Sequence, residues 1–236
     1  MKTILITGAT GGIGLSTALL LNTKGYRVIV SARNTEKAAI LKEQIPSSIE
    51  IVTMDVRNYE EVKAAIGGII DRHGVLDVVV NNAGLGFFDP IAEGSINHWH
   101  EMVDVNVKGL LNCVHVSLPH LINSRGLVVN LGSVASRNVF ANSGVYASTK
   151  HAVLAISESL RLELAGKIRV STIMPGAVNT PFISRTDNEA LLKDYVPYFA
   201  SGLDPNSIAE AILYCIAAPE DAVISEIMIR PDRKVK

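Results

Sequence analysis

Short continuous runs of Val, Ile and Leu recur along the chain between stretches of helical periodicity, and nothing else in the sequence restricts the fold as strongly. The runs cover residues 3–7, 26–31, 49–54, 75–81, 127–131, 169–174 and 226–230. A strand with one wet face alternates apolar and polar residues; a strand covered on both faces need not. These runs therefore predict buried strands. Strands alternating with helices need right-handed crossovers, which give a doubly wound, mostly parallel sheet of seven strands with helices on both faces. Two helix starts are legible: Asn58 with Glu61 has capping-box spacing, and Asp204-Pro205 offers a cap followed by proline at the first helical position. No repeat, low-complexity tract or Pro/Gly-rich linker interrupts the 236 residues, so a single α/β domain over 1–236 is expected. The least regular part of the second half, residues 182–203, is a candidate substrate lid.

Charge excludes some partners. Lys plus Arg is 22 and Asp plus Glu is 23, a formal net charge of −1, which supplies no field to gather nucleic acid or an anionic membrane. No apolar run is long enough to span a bilayer. Met1 is followed at once by Thr3-Ile4-Leu5-Ile6, a strand pattern unlike a signal peptide. Cys113 and Cys215 lie far apart inside apolar helical patterns, which suits core filling, no metal site and a cytoplasmic location.

The first run ends in Thr7-Gly8-Ala9-Thr10-Gly11-Gly12-Ile13-Gly14, with a helical pattern following. Gly8, Gly12 and Gly14 can turn the backbone, admit a pyrophosphate and seat the helix on the strand. The helical pattern follows from Leu15, and its N-terminus, with Ile13 beside it, adds free N–H groups and partial positive charge. A tight surface turn would use glycines too, but the strand-turn-helix setting is the one a dinucleotide requires. The second run ends Ser31-Ala32-Arg33-Asn34 and lacks the carboxylate that binds an NAD ribose. Arg33 offers instead a guanidinium fork for a 2′-phosphate, so NADP is the expected coenzyme. Asp55, with Val56, follows the third run and either accepts from an adenine amino group or is a plain loop acid. Asn81-Asn82-Ala83-Gly84 closes the fourth run, either lining a coenzyme or forming an Asn-rich turn.

Tyr146 and Lys150 stand four residues apart in a helical segment, on one face. A free tyrosine titrates at about 10. An ammonium nearby favours the phenolate, which makes tyrosine a usable general acid and base. Ser133 follows the fifth run at its carboxyl end, where doubly wound sheets bind ligands, and its hydroxyl can meet a substrate carbonyl or cap a turn. No Gly-x-Ser-x-Gly elbow or triad spacing surrounds it.

Residues 7–14, Asn81 to Gly84, Asn106, Ser133, Tyr146-Ala147-Ser148-Thr149-Lys150 and Pro175-Gly176 together resemble the ordered motif set of the short-chain dehydrogenase/reductase family, over residues 1–231. The resemblance implies a Rossmann-type domain. It implies Tyr146 as acid and base, Lys150 lowering its pKa and holding the nicotinamide ribose, Ser133 orienting the carbonyl, and Asn106 supporting a proton relay through water. Asn81 to Gly84 would steady the sheet and touch the coenzyme, and Pro175, Gly176, Val178 and Thr180 would border the nicotinamide. The reaction implied interconverts a carbonyl and an alcohol on a small molecule by hydride transfer. The ending Glu226-Ile227-Met228-Ile229-Arg230-Pro231, followed by Asp232-Arg233-Lys234, resembles the NADP-dependent branch acting on 3-hydroxy acids and serine.

The rival reading is a non-catalytic NADP(H)-binding regulator on the same fold, which loss of Tyr146 or Lys150 would have favoured. Phe87, Phe88, Val134, Phe140, Phe182 and Tyr195 are candidate pocket or core residues, and Arg137, Arg185 and His100 are candidate carboxylate partners or solvated charges. Residues 101–122 and the helix from Tyr146 are apolar on more than one face. Either these helices pack against each other, or they form the seam of a homodimer or of a tetramer of dimers; the family resemblance implies the seam.

Overall fold

The computed structural model describes residues 1–232. In β1 (Thr3–Ile6), Ile4 and Ile6 enter one core and Leu5 the other, and none of the three has exposed surface. Neighbouring strand side chains point to opposite faces, so a strand covered twice must be apolar throughout. β2 (Arg27–Ala32) repeats the division with Val28 and Val30 against Ile29, and β4 (Val78–Asn81) with Val78 and Val80 against Val79. β5 (Leu127–Leu131) does the same with Leu127 and Val129 against Val128. β3 (Glu50–Thr53) and β7 (Glu226–Ile229) are the half-exposed edges, and β6 (Arg169–Pro175) lies beside β7. The seven strands run in the order β3-β2-β1-β4-β5-β6-β7, with every pairing parallel. Each apolar run falls on a strand, with ends displaced by up to three residues at β4.

On one face α1 (Gly12–Thr23) and α8 (Pro205–Ala217) bury Ala18, Leu21, Ile208, Ile212 and Ile216, with Leu41 from α2 (Thr35–Lys42). On the other, α3 (Tyr59–His73) and α5 (Leu110–Ser124) bury Val62, Ile66, Ile69, Cys113 and Leu121, and Leu160 of α6 (Gly144–Glu163) packs beside them. Both cysteines are buried and unpaired by a disulfide. The Asp204 carboxylate caps α8 by accepting from the Asn206 N–H at 2.8 Å. At α3 the Asn58 side chain accepts from the Glu60 and Glu61 amides, as expected of a cap. Glu61 does not complete the box on the Asn58 backbone. Its carboxylate accepts from the Asn58 side-chain amide and the Asp55 N–H, each at 2.9 Å, and so secures the turn out of β3.

Two expectations need correction. Residues 101–122 are not one regular helix: α4 (Ile96–Val103) passes into a π-helical turn, Asp104–Gly109, before α5. A π turn inserts an extra residue and re-aims side chains, and such turns favour functional sites. Gly109 permits it, since a Cβ there would lie 2.6 Å from Val56 Cγ2. Nor is 182–203 irregular. It holds a 3₁₀ turn, Pro181–Arg185, and α7 (Glu189–Ala200), which buries none of its own residues completely. The segment is closed at its base by backbone bonds from Asn179 to Leu203 and from Leu203 to Ala177. Arg233 and Lys234 lie outside the described residues.

Candidate active site

The carboxyl ends of the strands open on one cleft of about 720 Å³. Gly8, Thr10, Gly12, Ile13, Arg33, Asp55, Val56, Asn82, Ala83, Gly84, Ser133, Tyr146, Lys150, Pro175, Gly176, Val178 and Thr180 all line it. The turn after β1 is held by cross-links that follow from its sequence. The Thr7 hydroxyl accepts from the Asn82 and Ala83 amides at 3.1 and 3.0 Å, and the Asn82 side chain donates to the Thr7 and Gly8 carbonyls at 2.9 Å each. Gly8 has φ +66°, and a Cβ there would lie 2.7 Å from Ala83 Cα, so the β1 and β4 turns touch backbone to backbone. Asn81 works behind the cleft. It donates to Asn130 at 2.8 Å, and Asn130 donates to Ser157 at 2.8 Å, tying β4, β5 and α6 together inside the protein.

The first turn of α1 carries no acidic residue, and its cap position, Gly11, makes no side-chain capping bond. Its leading N–H groups are therefore available to an anion where Gly11, Gly12 and Ile13 border the cleft. Beyond them stand three cations, Arg33, Lys37 and Arg57, with Asp55. Burial would raise the Asp55 pKa, but hydrogen bonds from Arg57 and the charges of Arg57 and Arg33 overcome it and hold Asp55 below its usual value. The pairing is close, 2.5 Å between Arg57 Nη2 and Asp55 Oδ2. This donor set fits a nucleotide bearing phosphates at both the turn and the β2 end. Lys37 and Arg57 escaped the sequence reading, although Lys37 sits three residues after the α2 cap Asn34 and Arg57 two after Asp55.

Ser133, Tyr146 and Lys150 converge at the end of β5. Ser133 is set by a small capping box: its hydroxyl accepts from the Ala135 N–H, and its own N–H donates to the Ser136 hydroxyl, each at 3.1 Å. The Ser133 hydroxyl thus keeps its proton to donate, and the Tyr146 hydroxyl lies within its reach. The α6 helix presents Tyr146 and Lys150, and the Lys150 ammonium donates to the Leu131 carbonyl at 2.8 Å, 5.9 Å from the Tyr146 ring centre. Burial pushes Tyr146 up to about 12, and a hydrogen bond with Ser133 acts against that rise. Burial pushes Lys150 down to about 8. Without a coenzyme bound, desolvation of the phenol is the larger of the two effects on Tyr146.

Two residues expected in the site stand behind its wall. A Cβ at Gly14 would lie 2.5 Å from Asn82 Nδ2 and 2.9 Å from Ala9 Cα, so Gly14 seats the helix on the turn without bordering the cleft. Asn106, on the π turn, is buried, with its side chain engaged. It accepts from the Leu85 N–H at 2.9 Å and donates to the Leu85 carbonyl at 2.8 Å and the Thr149 hydroxyl at 3.0 Å. Its side chain holds the β4 loop against α6.

The far end of the cleft is aromatic. Phe88, Val134, Phe140, Phe182 and Tyr195 line it, joined by Tyr198 and Phe199 of α7, which a sequence reading without that helix could not place. Phe87 turns away and stacks on His98 at 3.9 Å. Arg185 lines the cleft 3.8 Å from Glu101, whereas Arg137 is bound to Glu226 at 2.5 Å, and neither it nor His100 borders the cleft.

The short chain dehydrogenase family profile matches residues 2–190. An uncharacterised oxidoreductase of Staphylococcus saprophyticus is 35% identical over 235 residues, 98% of this chain and 96% of that protein. The closed, NADP+-complexed form of serine dehydrogenase superposes with TM-score 0.90 at 29% identity, over 99% of this chain and 96% of the other. An alcohol dehydrogenase from Thermococcus sibiricus complexed with 5-hydroxy-NADP superposes with TM-score 0.86 at 29% identity, over 100% and 99% of the two chains. With its parallel sheet, its nucleotide turn and these relatives, the chain belongs to the short-chain dehydrogenase family of oxidoreductases.

Proposed function

We propose that this protein is an NADP(H)-dependent oxidoreductase that interconverts a carbonyl and an alcohol on a small molecule, with Tyr146 as proton donor and acceptor. The observation that carries the reading is the convergence of Ser133, Tyr146 and Lys150 in the cleft that also holds the nucleotide turn. NADPH, when bound, supplies the hydride. Gly8, Thr10, Gly12 and Ile13 would hold its pyrophosphate, Arg33 with Lys37 and Arg57 its 2′-phosphate, and Asp55 and Val56 its adenine. Asn82, Ala83, Gly84, Pro175, Gly176, Val178 and Thr180 would border the nicotinamide half, and Lys150 its ribose. Ser133 donates to the carbonyl oxygen and orients it. Tyr146 gives that oxygen a proton during reduction and takes it back during oxidation. Asn106 braces the loop that leads to Gly84 and would support the relay of that proton through water.

NADP preference is supported by Arg33 and Lys37 beside the β2 end, where Arg57 is held on Asp55, and by the NADP complexes of the two structural relatives. The domain spans 1–236, and residues 182–203 act as its lid. The lid is held to the body by the Phe182, Tyr195 and Phe199 rings on Phe88, by the Phe88 N–H donating to the Thr186 hydroxyl at 3.3 Å, and by Asp187 3.3 Å from His98 and Arg185 3.8 Å from Glu101. For assembly we favour a homodimer or a tetramer of dimers. Leu110 and Val114 of α5 pack on Val153 of α6 within one chain, which accounts for part of the apolar surplus. Leu111 and Leu162 remain 45% and 64% exposed on the same helices, apolar surface that such a seam would cover.

The test is NADPH oxidation by purified protein across aldehydes, ketones and 3-oxo acids. Carbonyl-dependent oxidation supports the enzyme; tight NADPH binding with no oxidation would favour the regulatory reading.

A further inference from the structure

We infer that the substrate of this site is a neutral carbonyl compound carrying an aryl or bulky apolar group, and that Phe88, Phe182, Tyr195 and Phe199 select it. The inference rests on the oxidoreductase reading above and narrows its substrate. Phe88 is the floor, buried and in edge or tilted contact with Tyr146 at 5.4 Å, Tyr195 at 5.6 Å, Phe182 at 6.0 Å and Phe199 at 6.3 Å. Phe182 also meets the Tyr146 ring at 5.5 Å, so the aromatic wall begins at the reacting hydroxyl. Phe182, Tyr195 and Phe199 are only half-buried and line the cleft, so apolar ring surface stays wet until a ligand covers it. Covering such surface drives apolar ligands into a pocket, and aryl groups add edge-to-face contacts with the rings.

The charges at this end do not suit a small hydroxy acid. Among the described residues bordering the aromatic end, the charged ones are Arg185 and Asp194. Arg185 already has Glu101 within 3.8 Å, and Asp194 would repel a carboxylate. Lys150 is buried, donates to Leu131 and would hold the coenzyme ribose, and Arg33, Lys37 and Arg57 lie at the other end of the cleft, beyond the glycine turn. A buried carboxylate without its own cation is costly, whereas a neutral ketone needs only Ser133 and Tyr146 at its oxygen. In the reaction the carbonyl carbon gains a hydride from NADPH and the oxygen gains a proton from Tyr146. The ketone becomes an alcohol, NADPH becomes NADP+, and the tyrosine recovers its proton from solvent.

The experiment compares kcat/KM for acetophenone, acetone and acetoacetate with NADPH, and for 1-phenylethanol and serine with NADP+. The aryl compounds should exceed acetoacetate and serine by about tenfold or more. Phe182→Ala should lower kcat/KM for acetophenone by about tenfold more than for acetone. Acetoacetate or serine matching or exceeding the aryl compounds overturns the inference and leaves the oxidoreductase reading standing. So does an equal loss on acetone and acetophenone in Phe182→Ala, which would mark the ring as structural. No turnover of any of these compounds, by a protein that binds NADPH, overturns both.

Discussion

Replacing Thr7 by Val tests how the nucleotide turn is built. The side chains are nearly equal in volume, so no cavity forms, and the change removes only the hydroxyl. That hydroxyl accepts from two backbone amides of the β4 turn, Asn82 at 3.1 Å and Ala83 at 3.0 Å, while its own donation to Val80 is long, at 3.4 Å. The Asn82 amide keeps the Val80 carbonyl at 3.0 Å, so only the half-buried Ala83 amide is orphaned, at a cost of about 1 kcal/mol, the lower part of the range for an unmade bond. That is equivalent to a fall in Tm of about 2–4 °C for a chain of this size. Denaturant midpoints at one fixed protein concentration measure it, since any subunit association contributes to apparent stability. Coenzyme affinity should fall as well, because Gly8 and Ala83 lose their common tie. Unchanged stability together with unchanged coenzyme affinity would refute the reasoning.

Arg33→Ala should weaken NADPH by about tenfold and leave NADH little changed, since a hydrogen bond to a charged group contributes about 1.5–3 kcal/mol; parallel titrations decide it. Lys150 titrates lower in the folded protein, at about 8, than unfolded, so between there and its ordinary value of 10.5 the unfolded chain binds more protons and stability rises with pH. Tyr146, raised to about 12, adds the opposite slope only above its ordinary value of 10.0. Denaturation of coenzyme-free protein from pH 8 to 10 should therefore show a rise that Lys150→Met abolishes. Light scattering at micromolar concentration should give at least twice the 25.3 kDa chain mass.

The sheet was legible because a strand buried twice leaves an unmistakable apolar run. Only the half-exposed edges and the entry to β4 blurred its limits. Residues whose chemistry is carried by type and local spacing, such as Tyr146, Lys150, Ser133 and Arg33, could be named from the sequence, and all border the cleft. Gly14 and Asn106 show the limit: their types fit a ligand, but which way each faces depends on Asn82, Leu85 and Thr149, residues brought there by the fold. The π turn had no signature because its apolar residues satisfy an ordinary helical pattern as well. α7 was hidden for the opposite reason, since a helix that buries none of its residues completely and contains Pro197 shows no clear stripe. With it went Tyr198 and Phe199, and hence much of the aromatic wall.

The central claim is that Tyr146 carries the proton, and Tyr146→Phe tests it most directly. The substitution removes one hydroxyl, keeps the ring packed on Phe88 and Phe182, and leaves the nucleotide end of the cleft untouched. Turnover of a carbonyl substrate should fall by about 100-fold or more, with the NADPH dissociation constant unchanged. A Tyr146→Phe protein that turns over at close to the parent rate would contradict the account.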